Sequence, residues 1–213
     1  MMPVALTEQT MTVGLTELTA TDPDLAGVHA RLGAPPLWAR PTGFPTLVHI
    51  ILEQQVSLAS ARAAFDRLLA AGSPLGAPLT PEGFLRLDDD TLLAIGFSRQ
   101  KRVYTRHLAE ALIAGSLDLD ALATLDDEHV RRNLTALKGI GPWSAEIYLL
   151  MALRRADAWP AGDLALAVAA QEVKRLDGRP DPAALTHLAE AWRPWRAVAA
   201  RLLWHHYLSK PAG

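Results

Sequence analysis

The sequence of 213 residues contains no cysteine. Disulfide bonds, zinc–thiolate sites and iron–sulfur clusters are therefore excluded. β-Branched residues are sparse beside alanine and leucine, and no apolar run reaches the roughly 18–20 residues that a membrane-spanning helix needs. No segment resembles a signal peptide, so we expect a cytoplasmic protein without a membrane partner.

The chain also lacks an excess of positive charge. It has 21 Lys and Arg residues against 23 Asp and Glu residues, which gives a formal charge of −2. Any binding to a nucleic acid would therefore depend on a local surface and on backbone N–H groups rather than on bulk attraction. Half of the residues are hydrophobic, and the prominence of alanine and leucine favours an all-α protein.

Apolar residues recur at three- and four-residue steps, which predicts helices and no strand. We expect a flexible N-terminal lead over residues 1–22 and one long helix over residues 44–71, ending at Gly72. Gly96 and Ser98 are expected to end one helix and to begin the next. The other predicted helices cover residues 23–32, 81–86, 88–95, 99–114, 118–123, 126–136, 142–154, 163–176, 182–191 and 195–208.

Residues 137–145 (LKGIGPWSA) place two glycines around an isoleucine, followed by a proline that opens an apolar helix. This pattern is typical of a tight hairpin between two helices, whose outward N–H groups can receive a phosphate. Asp163 lies on the next loop, where its carboxylate could act on a bound nucleic acid. The glycine spacing alone fits an ordinary turn equally well, and an Asp in this setting is most often a helix N-cap.

Several segments occur in the order seen in the helix-hairpin-helix (HhH-GPD) DNA glycosylases. These segments are residues 51–57 (ILEQQVS), 96–101 (GFSRQK), 137–145, 162–163 and 193–196 (RPWR). Over about residues 23–208, the sequence resembles the alkylation-repair branch of that superfamily, the DNA-3-methyladenine glycosylases II.

The resemblance implies two helical subdomains with an active-site cleft between them. The internal domain would cover residues 43–155 and contain the hairpin, and the second domain would combine residues 23–42 with residues 156–213. The implied activity is that of a monofunctional glycosylase, which flips alkylated purines such as 3-methyladenine and 7-methylguanine out of double-stranded DNA and excises them by hydrolysis. No cofactor is expected, and the protein is expected to be a monomer that is nucleoid-associated if bacterial.

The resemblance also assigns the catalytic and pocket residues. Asp163 matches the catalytic aspartate. Trp143 and Trp204 match positions that line the base pocket, and Trp38 is a weaker candidate; any of the three could instead be a core residue. Trp143 stands where strand-cleaving relatives keep a nucleophilic lysine, and an indole forms no Schiff base. Ile147 replaces a pocket tyrosine of the family, which leaves the lesion range open.

A second set of residues is expected to contact DNA. This set comprises Gln54, Gln55, Ser57, Lys101, Lys138, Gly139, Gly141 and Ser144. Gln55 matches the residue that fills the gap left by a flipped nucleotide, although Gln54 and Gln55 also fit a polar pair that satisfies buried backbone. The cationic helix that starts at Arg99 could contact phosphates or form a solvated face. No side-chain metal site is expected, and a monovalent ion at the carbonyls of residues 136–141 is implied by the resemblance only.

The sequence leaves two other functions open. The protein could be a bifunctional glycosylase, or one for oxidised or mismatched bases. Trp143 in place of lysine and the absence of cysteine weigh against this reading. It could also be a non-catalytic helix-hairpin-helix module that only binds DNA. Asp163 and the candidate pocket tryptophans weigh against this interpretation.

Overall fold

The structure is a computed structural model that describes residues 4–72 and 78–210. These residues form thirteen α-helices and, apart from an isolated β-bridge between Ala5 and Arg155, no β-structure. The predicted all-α fold class is confirmed. None of the helices in the described ranges has the length and apolar character that crossing a bilayer requires.

Most helices begin or end close to the Gly, Pro, Ser and Asp residues of the sequence. In chain order the helices are α1 (Glu8–Thr21), α2 (Pro23–Leu32), α3 (Phe44–Glu53), α4 (Leu58–Gly72), α5 (Pro81–Leu85), α6 (Asp89–Ile95), α7 (Arg99–Ile113), α8 (Leu119–Leu122), α9 (Asp127–Thr135), α10 (Pro142–Ile147), α11 (Leu164–Val173), α12 (Pro182–Ala189) and α13 (Arg196–Leu208). A π-helical turn, Tyr148–Ala152, continues α10, and a 3₁₀ turn, Glu190–Trp192, follows α12.

The chain divides into two compact units. The terminal unit comprises Met1–Ala39 and Leu149–Gly213, and the internal unit comprises Arg40–Tyr148. The internal unit contains α3 to α10, including the hairpin. Its limits differ by three and seven residues from those predicted for the internal domain, residues 43–155.

The expectation of a flexible lead over residues 1–22 is wrong for residues 8–21, which form α1; residues 1–3 lie outside the described part. Thr7 begins this helix with a capping box, in which Thr10 N–H donates to Thr7 Oγ1 at 3.1 Å and Thr7 N–H donates to Thr10 Oγ1 at 2.7 Å. The buried face of α1 consists of Met11, Gly14, Leu15 and Leu18. Packing of this face outweighs the weak helix propensity of the threonines.

The close packing of α1 on α13 in the terminal unit requires a glycine at position 14. A Cβ atom there would lie 2.9 Å from the ring of Trp195, closer than real contacts allow. The indole N–H of Trp195 also donates to Glu17 Oε2 at 2.5 Å. Trp195 of the RPWR segment therefore anchors α1.

The single helix predicted over residues 44–71 is also wrong, because the chain breaks between α3 and α4. Gln54 is extended, with φ −62° and ψ 123°, and Gln55 is left-handed, with φ 57°. Residues with these dihedral angles cannot continue an α-helix. The apolar stripe runs through both helices, which is why periodicity alone missed the break.

The predicted junction between α6 and α7 is confirmed. Gly96 adopts the left-handed conformation with φ 111° at the end of α6, where its N–H donates to Leu92 O at 3.2 Å. Ser98 caps α7 by accepting a hydrogen bond from Lys101 N–H at 3.2 Å.

Asp22 is a buried junction in the core of the terminal unit, where it ends α1 and begins α2. Its Oδ1 accepts the backbone N–H groups of Asp24 and Leu25 at 3.0 and 3.1 Å. The indole N–H of Trp192 donates to Oδ2 at 2.7 Å, and the Lys174 ammonium lies 3.0 Å from Oδ1. Burial alone would raise the pKa of Asp22, but hydrogen bonds from Trp192, Lys174 and the Leu25 amide hold this pKa below its ordinary value.

Replacing Asp22 with Asn should destabilise the protein by about 1–3 kcal/mol at neutral pH, because the Lys174 ammonium loses a buried charged partner. Since the pKa of Asp22 is lower in the folded state, its contribution is complete above the unfolded pKa of about 3.9 and is lost as the pH falls through the folded pKa. Urea denaturation of wild type and Asp22→Asn should therefore show a difference in midpoint that narrows from about pH 5 to about pH 2.

Asp118→Asn provides a matched control. Asp118 caps α8 through two backbone N–H groups, those of Asp120 and Ala121, but its side chain is exposed. Asn caps a helix about as well as Asp, so this variant should keep the wild-type midpoint. An equal loss in both variants would mean that capping, and not the buried ion pair, is what Asp22 contributes.

Candidate functional site

The predicted hairpin joins α9 to α10 in the internal unit. Ile140 N–H donates to Leu137 O at 3.1 Å, and the Ile140 side chain is buried beneath the turn. Gly141 is extended at the N-cap of α10 and makes no side-chain cap hydrogen bond. Gly141 itself has no side chain that could cap the first turn of α10, which suits a turn that receives a phosphate.

Gly139 is required by the shape of this turn. Its φ of 98° lies in the left-handed region, and a Cβ atom would stand 2.1 Å from Tyr104 Cγ. The hairpin backbone thus rests directly on the ring of Tyr104, a residue of α7. Tyr104 was not among the predicted site residues, because its position in the middle of a cationic helix gives no sign of a contact with the hairpin.

The side chain of Gln54 connects the hairpin turn to the start of α10. Its Nε2 donates to Gly139 O at 2.9 Å and to Ser144 Oγ at 2.9 Å. The Ser144 side chain is buried. One amide group therefore ties the turn to the first residues of α10, and the contact of Gln54 and Ser144 with DNA stays a prediction.

The break between α3 and α4 presents Gln55 to solvent. Gln55 and Ser57 are exposed, and Val56 retains 45% of its accessible surface. Ser57 Oγ accepts a hydrogen bond from Ser60 N–H at 3.2 Å. The segment borders a groove of about 310 Å³ lined by Gln54, Gln55, Val56, Ser98, Gln100, Lys101 and Tyr104.

The cations of α7 are largely used within the internal unit. Lys101 Nζ donates to Leu52 O at 2.7 Å, and burial lowers the pKa of this ammonium. Arg102 and Arg106 both contact Asp89, at 3.4 and 3.0 Å. The sequence predicted that these cations form a phosphate-binding or solvated face. In the structure, Lys101, Arg102 and Arg106 instead fix α7 to its neighbours.

Two further predicted residues lie on the hairpin itself. Lys138 is exposed just before Gly139. Trp143 is half-buried in the first turn of α10. Their positions leave the proposed contacts with a phosphate and a base untested.

Asp163 caps α11 in the terminal unit. Its Oδ1 accepts the Leu166 N–H at 2.9 Å and the indole N–H of Trp204 at 3.1 Å. The residue is half-buried. The role of Asp163 as an N-cap is compatible with the catalytic role predicted for it, because capping holds the carboxylate in one orientation.

Trp204, which donates to this carboxylate, also contacts Trp38. Their ring centroids lie 6.4 Å apart at an interplanar angle of 73°, an edge-to-face contact. His205 lies at the same centroid distance from Trp38. Trp38 has φ 47°, a left-handed conformation that costs a non-glycine residue about 1–3 kcal/mol. The structure thus joins Asp163, Trp204 and Trp38, and it separately joins Gln54, Gly139 and Ser144.

No group of three His, Cys, Asp or Glu side chains within the described ranges is arranged to hold a metal ion. His206 is instead paired with Arg31 at 2.8 Å and with Glu172 at 3.0 Å. The monovalent ion at the carbonyls of residues 136–141 stays a prediction. One of those carbonyls, that of Gly139, accepts the hydrogen bond from Gln54.

An all-α protein with a glycine hairpin between two helices belongs to the helix-hairpin-helix class. Residues 48–194 match the HhH-GPD superfamily of base excision DNA repair proteins, and the chain belongs to this superfamily. The matched range contains both the hairpin and Asp163. The predicted family is confirmed.

Several similar proteins carry the names of DNA repair enzymes. DNA-3-methyladenine glycosylase 1 of Schizosaccharomyces pombe is 32% identical over 162 residues, which cover 76% of this chain and 71% of that protein. The "Probable bifunctional transcriptional activator/DNA repair enzyme AlkA" of Mycobacterium tuberculosis is 35% identical over 200 residues, 89% of this chain but 38% of that protein. The structure of the S. pombe 3-methyladenine DNA glycosylase with abasic DNA is similar at a TM-score of 0.84 and 28% identity, covering 90% of this chain and 94% of that one.

The contact between the hairpin and Tyr104 predicts the effect of adding one methyl group. Gly139→Ala should lower the thermal stability of the protein and weaken its binding to duplex DNA, because the new Cβ atom clashes with the ring and the left-handed φ strains the turn. Differential scanning calorimetry and a fluorescence-anisotropy titration with duplex DNA measure the two effects.

Gly141→Ala is the matched variant for stability. Gly141 lies two residues away in the same turn, has φ −88°, and would place its Cβ atom with nothing within 4 Å. Its melting temperature should stay close to that of wild type. If Gly139→Ala melts at the same temperature as Gly141→Ala, the hairpin does not depend on its contact with Tyr104.

Proposed function

We propose that the protein is a monofunctional DNA glycosylase that excises alkylated purines, of the 3-methyladenine and 7-methylguanine type, from double-stranded DNA during base excision repair. Membership of the HhH-GPD superfamily and the relatives named DNA-3-methyladenine glycosylases support this activity. The single observation that carries the mechanism is the Asp163 carboxylate, held at the N-terminus of α11 by the Leu166 amide and the Trp204 indole.

The carboxylate suits the cleavage of an N-glycosidic bond. As the bond between the sugar C1′ atom and the purine nitrogen breaks, its electron pair leaves with the base and positive charge develops on the sugar. A fixed carboxylate stabilises this charge, orients the water whose oxygen forms the new bond to C1′, and accepts the proton that this water releases. Alkylated purines carry a positive charge before the reaction, so they leave readily and bind well against aromatic faces such as those of Trp204 and Trp38.

The hairpin supplies the grip on the DNA strand. Backbone N–H groups at the start of α10 can donate to one phosphate without placing a cation in the interface. Lys138 is exposed beside this turn and adds a positive charge. Gln54 and Ser144 would act indirectly here, by keeping the turn in its binding conformation.

Trp143 makes the proposed reaction a hydrolysis. A glycosylase that also cuts the strand needs an amine that attacks C1′ and forms a Schiff base, and an indole provides none. The expected product is an abasic site in an intact strand. Strand cleavage before alkali treatment would support the bifunctional alternative, and the absence of base release from methylated, deaminated and oxidised DNA would support a module that only binds.

Gln55 is proposed as the residue that fills the gap when the damaged nucleotide leaves the duplex. It is exposed at the tip of a break between two helices, and its amide can both occupy the gap and hydrogen-bond the base left unpaired. A monomer acting on chromosomal DNA, nucleoid-associated and cytoplasmic if bacterial, is the corresponding prediction for assembly and location.

Asp163→Asn should reduce single-turnover base release from methylated duplex DNA by about 10²–10³-fold. The amide keeps the hydrogen-bond acceptor for Leu166 and Trp204 but loses the negative charge, so thermal stability and the Kd for duplex DNA should change little. Chromatographic detection of free 3-methyladenine measures the rate, and strand breaks after alkali count the abasic sites.

Asp181→Asn is the control for a lost N-cap charge in the same unit. Asp181 caps α12 by accepting the Ala184 N–H at 2.8 Å and is exposed. This variant should release base at the wild-type rate. Asp163→Asn with wild-type turnover would remove Asp163 from the mechanism and the proposed chemistry with it.

Gln55→Gly should slow excision from a fully paired duplex by about 10- to 100-fold, equivalent to about 1.4–2.8 kcal/mol, because nothing then fills the gap. Glycine accepts the left-handed φ of this position, so the fold is preserved. Excision of the same lesion opposite a mismatched base should be affected less, because that base leaves the stack more easily.

Arg175→Gly is the corresponding control, since Arg175 is exposed and has φ 54° at the end of α11. Its ratio of paired to mispaired excision should equal that of wild type. If Gln55→Gly also keeps the wild-type ratio of paired to mispaired excision, Gln55 does not occupy the gap.

A further inference from the structure

Arg201, on α13, is completely buried and is not paired with a carboxylate of any described residue. Its guanidinium donates to three backbone carbonyls: Nε to Leu37 O at 2.8 Å, Nη1 to Ala197 O at 2.9 Å and Nη2 to Leu150 O at 2.9 Å. Burial lowers its pKa to about 10, so the group is still cationic at neutral pH. Burying a charge without a counter-ion is unfavourable, and the three carbonyls offset part of this cost by accepting its hydrogen bonds.

The segment held by Arg201 is a strained one. The carbonyl of Leu37 immediately precedes Trp38, whose φ of 47° is unusual for a bulky side chain. Strained backbone persists where the surroundings fix it, and it is concentrated at functional sites. The hydrogen bond from Arg201 to Leu37 O restrains the residue immediately before Trp38.

The side chain that follows this restrained carbonyl is the Trp38 ring. The ring meets Trp204 edge to face at a centroid distance of 6.4 Å. Trp204 lies one helical turn after Arg201 on α13, and its indole N–H donates to Asp163 Oδ1 at 3.1 Å. A continuous set of contacts therefore leads from the buried guanidinium to the carboxylate.

We propose that Trp204 is a positioning residue that fixes the Asp163 carboxylate through its indole N–H, and that Arg201 fixes Trp204 by holding the Leu37–Trp38 segment. This inference rests on the proposed function of Asp163. It gives Trp204 a task other than stacking on a flipped base. The indole and the Leu166 amide both donate to Oδ1, so rotation of the carboxyl group would break one or both hydrogen bonds.

Trp204→Phe separates the two tasks, because it keeps an aromatic ring and removes the donor. Single-turnover release of 3-methyladenine should fall by about 10- to 100-fold, the loss typical of removing a group that orients a reacting one. The Kd for duplex DNA containing an abasic-site analogue should be unchanged. A role in stacking alone predicts a loss that persists on the Asp163→Asn background, because the smaller ring binds a cationic purine less well in either background.

The second measurement asks whether Trp204 acts through Asp163. On the Asp163→Asn background, adding Trp204→Phe should lower the residual rate no further, because the charge that the indole positions has already been removed. Additive losses in the double variant would overturn the proposal. Wild-type turnover in Asp163→Asn alone would instead overturn the proposed function, so the two failures are distinguishable.

Trp192→Phe is the matched control. Trp192 is a buried tryptophan of the same unit whose indole N–H also donates to an aspartate, Asp22. Trp192→Phe should lower the melting temperature and leave the rate of base release unchanged. A fall in rate equal to that of Trp204→Phe would mean that both variants act through general stability.

Arg201→Lys tests the last link, because it keeps the charge and loses the three-way set of contacts. We expect a slower enzyme whose loss is again absent on the Asp163→Asn background. If this variant does not fold, Trp38→Gly replaces it, since glycine accepts the left-handed φ and removes the ring that contacts Trp204. A wild-type rate in whichever of the two variants folds would remove Arg201 from the positioning of Asp163.

Discussion

The pair of hydrogen bonds to Oδ1 of Asp163 is the constraint on which the proposed chemistry depends. One donor is the amide of Leu166 in the first turn of α11, so the helix itself orients the carboxylate. The other donor is a tryptophan on α13, 41 residues further along the chain. A carboxylate fixed in this way needs little reorganisation when charge develops on a sugar, which is the main source of electrostatic catalysis.

The hairpin is organised by the same principle with a different side chain. The amide of Gln54 reaches both sides of the turn, at Gly139 O and Ser144 Oγ, and the ring of Tyr104 supports the glycine from α7. The proposed ligand of this turn would bind mainly to main-chain groups, while the side chains of Gln54, Ser144 and Tyr104 hold the turn in position. This division explains why two of the residues expected to touch DNA are turned inward.

The sequence predicted what depends on local pattern. Helix starts at Ser98 and Asp163, the left-handed Gly96 and the glycine hairpin follow from spacing and from residue type, and the family resemblance follows from their order. It failed where tertiary contacts decide. Thr-rich α1 is a helix because one face packs on α13, and the break at Gln55 interrupts an apolar stripe that continues on both sides. The role of Arg201 has no local signal, because its three acceptors are backbone carbonyls that any sequence provides.

The distribution of charge gives the physical reason for this arrangement. With a net charge of −2, the chain cannot rely on long-range attraction to a polyanion. Three cations of α7, Lys101, Arg102 and Arg106, are held by carbonyls or by Asp89 within the internal unit. The proposed affinity for a phosphate would then come from the oriented amides of the hairpin and from a few exposed side chains such as Lys138. Because amides release fewer counterions than lysines do, such a protein relies less on salt-sensitive attraction and more on the fit of one turn to one strand.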